Sequence, residues 1–101
     1  MVRRVRALCD QYDVLLIADE IAVGFGRTGT FWACEQGEVV PDILCVGKAL
    51  TGGYLPMSAA IASREVFDSF RGDGVVKRPF WDGHTYCGNP ITSAVALAAL
   101  D

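Results

Sequence analysis

One histidine and four scattered cysteines are all that this chain of 101 residues holds of either type, and no Cys-x-x-Cys pair occurs. Cys9, Cys34, Cys45 and Cys87 lie far apart, so zinc-ligand spacing is missing and free thiols in a reducing compartment are expected. Positive charge is scarce too. Nine Lys and Arg against twelve Asp and Glu leave a formal charge of −3, with no basic stripe to track a phosphate backbone, so nucleic acid is not an expected partner. No uncharged apolar run reaches the roughly 20 residues of a spanning helix, and no membrane span is expected. Arg3, Arg4 and Arg6 resemble the basic end of a signal peptide, but Asp10, Gln11 and Asp13 interrupt the apolar run that follows. No export signal is read, and a cytoplasmic protein is expected. Internal repeats and low-complexity segments are absent from the sequence.

What is present fits an ordinary globular chain. Hydrophobic residues make up 51% and charged residues 21%, enough for one domain and too little for two. Val2, Val5, Leu8 and Cys9 recur at helical spacing, and Val14-Leu15-Leu16-Ile17-Ala18 reads as a buried strand. A glycine-rich loop follows over 24–29, then a short helical turn over 31–35, then a second buried strand, Ile43-Leu44-Cys45-Val46. The twenty-odd residues between the strands suffice for the crossover that parallel neighbours need, giving a βαβ-like unit. The stretch Thr51-Gly52-Gly53-Tyr54-Leu55-Pro56 is too short for a second crossover, so the strand over 58–62 is expected to return antiparallel. The expected fold is α/β with a mixed, mostly parallel sheet. A short helix over 64–70 leads into a long polar and aromatic loop over 71–88, and Asn89-Pro90 reads as the cap and first residue of an Ala/Leu-rich helix. The chain starts in a helix and stops in one without a breaker, so it is expected to be a piece of a longer protein.

Asp19 directly follows the first expected strand, and Lys48 comes two residues after the second. Both therefore project from the carboxyl edge of a parallel pair, where ligands of open α/β sheets bind. Taken alone, an Asp and a Lys at strand ends are usually solvated side chains. The glycines beside each of them change that weighting, because they let a cofactor approach the backbone. An amine and an acid together match the needs of pyridoxal phosphate: an aldehyde to be held as a Schiff base, and a ring nitrogen to be kept protonated. A nucleotide loop does not fit, because the order GxxxxGK[ST] is missing and Ala49 follows Lys48. Trp32, Tyr54 and Tyr86 are candidates for a pocket lining, with core or interface packing the default for each.

Five ordered blocks carry a resemblance: Leu16-Ile17-Ala18-Asp19-Glu20-Ile21, Gly24-Phe25-Gly26-Arg27-Thr28-Gly29, Pro41-Asp42-Ile43-Leu44, Gly47-Lys48-Ala49-Leu50-Thr51-Gly52-Gly53 and Gly83-His84-Thr85-Tyr86. Over nearly its whole length the chain resembles the class III aminotransferases of the aspartate-aminotransferase fold (fold type I). The resemblance implies that residues 1–101 are part of the large, pyridoxal-phosphate-binding domain. It implies that Lys48 is the Schiff-base lysine, Asp19 the pyridinium partner and Ile21 an apolar contact on the ring. It places Thr85 and the backbone at His84 on the phosphate across a homodimer interface, with Gly83 near the substrate. The substrates implied are a small amino donor and a keto acceptor. Relatives often carry histidine where this chain has Asp82, which sets an acid near the expected phosphate loop. The second phosphate loop, the aromatic residue that stacks on the ring and the arginine that grips a substrate carboxylate are expected outside this segment, so the segment alone is expected to be inactive. A class III ω-aminotransferase of another specificity and a non-catalytic interaction protein on the same scaffold are the alternatives; retention of both Asp19 and Lys48 speaks against the latter.

Overall fold

The structure, a computed structural model, describes residues 1–71, 80 and 82–101. Helix α1 spans Val2–Tyr12 and ends where Asp13 turns left-handed at φ 52°, its N–H bonded to the Cys9 carbonyl. Short polar Asp is among the few residues that accept that conformation readily. Among the described residues the sheet has three strands, β1 (Ile17–Asp19), β2 (Ile43–Val46) and β3 (Ala59–Ala62), in that spatial order. β1 and β2 are parallel, and β2 and β3 antiparallel, so the sheet is mixed with one pair of each kind. Helix α2 (Arg64–Ser69) starts at Ser63, whose hydroxyl accepts the Val66 N–H at 3.3 Å. Helix α3 (Pro90–Leu100) starts at Asn89, whose side-chain oxygen accepts from Ile91 and Thr92, with Pro90 in the first turn. Both starts use groups that satisfy otherwise orphaned N–H donors. No helix among the described residues is long and apolar enough to cross a membrane. All four cysteines are unpaired. Residues 72–79 and 81, half of the expected loop over 71–88, lie outside the described residues.

Three expectations are corrected. The first strand is Ile17–Asp19 rather than 14–18, and Asp19 is its last residue rather than the one after it. The ladder cannot begin earlier because the partner strand enters after Pro41, which has no N–H, and the first bonds run from Asp42 and Ile43 to the Leu16 carbonyl. Nor is the first strand buried: Val14, Leu15 and Ile17 are more than half exposed, whereas β2 is half-buried along its length and ends in the buried Val46. A continuous apolar run predicts burial only if something covers both faces, and among the described residues nothing covers Val14, Leu15 and Ile17 to that extent. Finally, the short helical turn in the crossover from β1 to β2 is a 3₁₀ turn at Ala33–Gly37 rather than over 31–35.

The core lies at one end of the sheet. Val46, Leu50 and Ala96 are buried together, with Phe25, Trp32, Leu44 and Met57 packed around them. Helix α3 thereby seats against the turn that follows β2.

At the opposite end, Asp42 ties the chain into its register. Its carboxylate accepts the Leu16 N–H at 2.7 Å and the Arg6 guanidinium at 2.7 Å, and its carbonyl accepts the Ser63 N–H at 2.8 Å. One residue thus joins α1, the entry to β1 and the exit from β3. The Leu16 N–H, and then Arg6, hold the Asp42 carboxyl below the ordinary carboxylate value. A carboxyl depressed in the folded state contributes stability above its unfolded pKa and loses it as pH falls through the folded one. Asp42→Asn is therefore expected to melt at a lower temperature than the native protein at pH 7. The gap should narrow below about pH 4, the ordinary carboxylate range. Melting curves at pH 7 and pH 3 check this, and a gap that stays constant would count against it.

Candidate active site

Gly47, directly after β2, is extended and buried, and Lys48 follows in the left-handed region at φ 44°. For a residue with a Cβ this costs about 1 kcal/mol, and such strain is kept where the surroundings impose it. Here they do. A 3₁₀ turn over Lys48–Thr51 buries Leu50 and Thr51, and Gly52 closes it at φ 61° with its N–H on the Ala49 carbonyl. Thr51, fully buried, donates its hydroxyl to the Leu55 carbonyl at 2.5 Å. Leu50 and Thr51 point inward, and Lys48 is left exposed on the other side.

Asp19 and Glu20 separate in the same way at the end of β1, since successive residues of an extended chain face opposite sides. Asp19 is exposed, and its Oδ1 accepts the Ile21 N–H at 3.0 Å. Glu20 is 3% exposed and turns inward, where its two carboxylate oxygens accept the Ala33 and Cys34 N–H groups at 2.9 and 2.8 Å. It caps the start of the 3₁₀ turn that Trp32 leaves without a side-chain cap. The Glu20 carbonyl also takes the Gly24 N–H. A Cβ at Gly24 would stand 2.9 Å from that carbonyl oxygen and 3.0 Å from the Trp32 ring, so only glycine fits there.

These two chain reversals enclose an open groove of about 1640 Å³. Lys48, Ile21, Gly24, Arg27, Tyr54 and His84 are among its walls. A side chain on Gly47 would meet the Ile21 methyl at 3.4 Å, so Ile21 sits against the backbone that leads into Lys48. Of the residues singled out from sequence, Lys48, Ile21 and His84 line the groove; Asp19, Gly83 and Thr85 do not. Asp19 lies one hydrogen bond from the lining, through Ile21. Gly83 and Thr85 are exposed beside His84, whose Nδ1 accepts the Tyr86 N–H. Tyr54 and Tyr86 line the groove, whereas Trp32 packs on the core with Phe25.

Glu20 and Thr51 were not singled out from sequence. Both partners of the Glu20 carboxylate lie more than a dozen residues away, and no local signal reports a clamp of that span. The Thr51 loop is only four residues long, and a threonine before Gly-Gly was its one available sign.

The groove suits pyridoxal phosphate on the chemistry of its donors: a reachable amine, a carboxylate at the adjoining strand end, an apolar side chain between them and glycine backbone open to close approach. The class III aminotransferase family model matches residues 1–101. This chain belongs to the class III aminotransferase family. It is 52% identical over 100 residues to the adenosylmethionine-8-amino-7-oxononanoate aminotransferase of Nitratidesulfovibrio vulgaris, covering 99% of this chain and 18% of that protein. The crystal structure of the enzyme of that name from Methanocaldococcus jannaschii matches with a TM-score of 0.91 at 43% identity, over 98% of this chain and 24% of that one. The ornithine aminotransferase of Toxoplasma gondii, with pyridoxal phosphate at partial occupancy in its active site, matches with a TM-score of 0.85 at 41% identity, over 98% and 22%. The chain thus spans about a fifth of the length of its relatives.

The Glu20 clamp can be tested directly. Each buried N–H left without a partner costs about 1–3 kcal/mol, so Glu20→Ala should lose roughly 2–4 kcal/mol in denaturant unfolding, and Glu20→Gln less. The Cys34 thiol is held above its ordinary value, first by burial and then by the Glu20 carboxylate. Its alkylation by iodoacetamide near neutral pH should therefore be slow in the native protein and faster in Glu20→Ala. Unchanged stability and thiol reactivity in that variant would rule the clamp out.

Proposed function

We propose that this chain is part of the large domain of a pyridoxal-phosphate-dependent aminotransferase and supplies the lysine and the carboxylate that its cofactor needs. The observation that carries the reading is Lys48: a lysine held left-handed on a buried turn, exposed to the groove at the carboxyl edge of β2 and close in register to the end of β1. When bound, pyridoxal phosphate supplies an aldehyde to carry the amino group and a ring to draw electrons from the substrate α-carbon. Lys48 Nζ holds the aldehyde carbon between turnovers and, once displaced, moves the proton at the substrate α-carbon. The Asp19 carboxylate keeps the ring nitrogen protonated. Its bond from the Ile21 N–H fixes the carboxylate's orientation. Ile21 gives the ring an apolar contact, and Gly83 lies near the substrate. Thr85 and the His84 backbone bind the phosphate of a partner subunit's cofactor in a homodimer, which accords with Thr85 being exposed and outside this chain's own groove.

The amino group is transferred from S-adenosylmethionine to 8-amino-7-oxononanoate, giving 7,8-diaminononanoate for biotin synthesis. The stretches Thr51-Gly52-Gly53-Tyr54-Leu55-Pro56 and Phe31-Trp32-Ala33-Cys34-Glu35 support this choice, as does the name shared by relatives at about half identity. The second reading, a class III aminotransferase of another specificity, is favoured by one observation: an ornithine aminotransferase matches in structure with 41% identity. Turnover with each donor and acceptor pair separates the two.

Borohydride reduction of the protein with bound pyridoxal phosphate is expected to leave the pyridoxyl group on Lys48, located by digestion and mass spectrometry. A label on Lys77, the other lysine of the sequence, or on a residue outside this chain would refute the assignment. Asp19→Asn should still be labelled at Lys48 but lose more than roughly a hundredfold in turnover, since a preorganised charge at developing charge is worth about 3 kcal/mol or more. Near-native turnover would make Asp19 a structural residue.

A further inference from the structure

Phe25 occupies the left-handed region at φ 58°, a conformation that disfavours any residue with a Cβ. Glycine stands on both sides of it and would make the turn without strain. The ring at this position therefore calls for another reason. It meets Phe31 edge-on with centroids 5.5 Å apart and Trp32 with centroids 4.9 Å apart, while Phe31 and Trp32 meet each other at 4.7 Å. Phe25 and Trp32 also pack on Val46, Leu50 and Ala96, the cluster beneath the Lys48 turn.

The other side of the same loop faces the groove. Gly24 and Arg27 line it together with Lys48, while Phe25 does not. The Gly26 N–H bonds the Phe31 carbonyl at 3.2 Å, and Gly24 lies against the Trp32 ring. The aromatic trio thus forms the mechanical connection between one wall of the groove and the turn that carries its amine. Where rigid side chains lock a wall by edge-to-face packing, the distance across the groove is set by that packing.

We propose that Phe25 is a positioning residue for the molecule that occupies the groove: its ring fixes the wall formed by Gly24 and Arg27 at a set distance from Lys48. Substrate atoms remote from the reacting amine then seat against a wall that does not move. This rests on the groove being the seat of amino transfer. Its effect falls first on substrate binding, because the ring acts on the Gly24 and Arg27 wall through its own loop and meets the Lys48 turn through the apolar cluster beneath it.

The test uses the whole protein carrying Phe25→Gly, Phe25→Tyr or Phe31→Leu, with pyridoxal phosphate bound and the best donor and acceptor pair of the native protein as substrates. Losing two edge-to-face contacts should raise the KM of Phe25→Gly about tenfold, although backbone strain is relieved. Its kcat and its Kd for pyridoxal phosphate, read from absorbance, should stay within about threefold, as they would if only uniform binding were lost. Phe25→Tyr, which keeps the ring, should restore KM. Phe31 is half exposed, so Phe31→Leu should fold even if Phe25→Gly does not, and should raise KM roughly three- to tenfold through its lost contacts with Phe25 and Trp32. A native KM in Phe31→Leu or Phe25→Gly, or a loss of stability or kcat with KM unchanged, would overturn the proposal. Failure of borohydride to label Lys48 in the native protein would instead overturn the catalytic reading on which it rests, before any variant is compared.

Discussion

The register of one short parallel ladder decides everything at the carboxyl edge. Ile17 pairs with Ile43, Ala18 with Leu44 and Asp19 with Cys45, so β1 ends one residue before β2 does. A slip by a single residue would exchange the faces of the strand. Asp19 would then turn inward and Glu20 outward, leaving the buried clamp on Ala33 and Cys34 without its carboxylate. Asp42 prevents this from the far end. Its side chain holds the Leu16 N–H while its own N–H bonds the Leu16 carbonyl, and a doubly bonded pair of residues has no room to slide.

From that register onward, each reversal hides one side chain and presents the next. After β1, Glu20 is hidden and Ile21 lines the groove; after β2, Leu50 and Thr51 are hidden and Lys48 lines it. The left-handed residue at Lys48 and the extended Gly47 before it are the backbone form of this alternation. A chain that continued as regular strand would carry Lys48 beyond the edge, whereas a tight turn holds it there. The strain is small beside the burial of Leu50 and Thr51 that imposes it.

Much of this was legible in the sequence. The span of β2, the antiparallel return of β3, the Asn89 cap and the two-residue offset of Lys48 all follow from local signals: a β-branched run, a connection too short for a crossover, a cap residue before proline. What was not legible is tertiary. The run from Val14 to Ala18 looks like a strand throughout, but a ladder needs a partner, and Pro41 withholds a donor from its first part. Burial was misjudged for a related reason: apolar sequence records what a surface needs, and this chain spans only a fifth of the length of its relatives. Of the candidate site, Lys48, Ile21 and His84 come together on one groove. Asp19, Gly83 and Thr85 do not, and the family resemblance assigns Thr85 to the cofactor of another subunit.

The sparse interior also explains which interactions set the geometry. Few side chains are buried, and the apolar cluster under the Lys48 turn is centred on three residues. Apolar contact is non-directional, and a cluster of that size tolerates small displacements of what it supports. Hydrogen bonds to buried or half-buried oxygens do not, because a donor moved out of reach leaves a polar group unpaired at a cost of about 1–3 kcal/mol. Glu20 fixes the loop that carries Gly24, Thr51 fixes the loop after Lys48, and Asp42 fixes the register between the strands, each through oxygens that accept backbone N–H groups. Precision at the groove therefore depends on three directional side chains together with the edge-to-face packing of Phe25, Phe31 and Trp32, and the small cluster under the Lys48 turn decides only how firmly the pieces they align are pressed together.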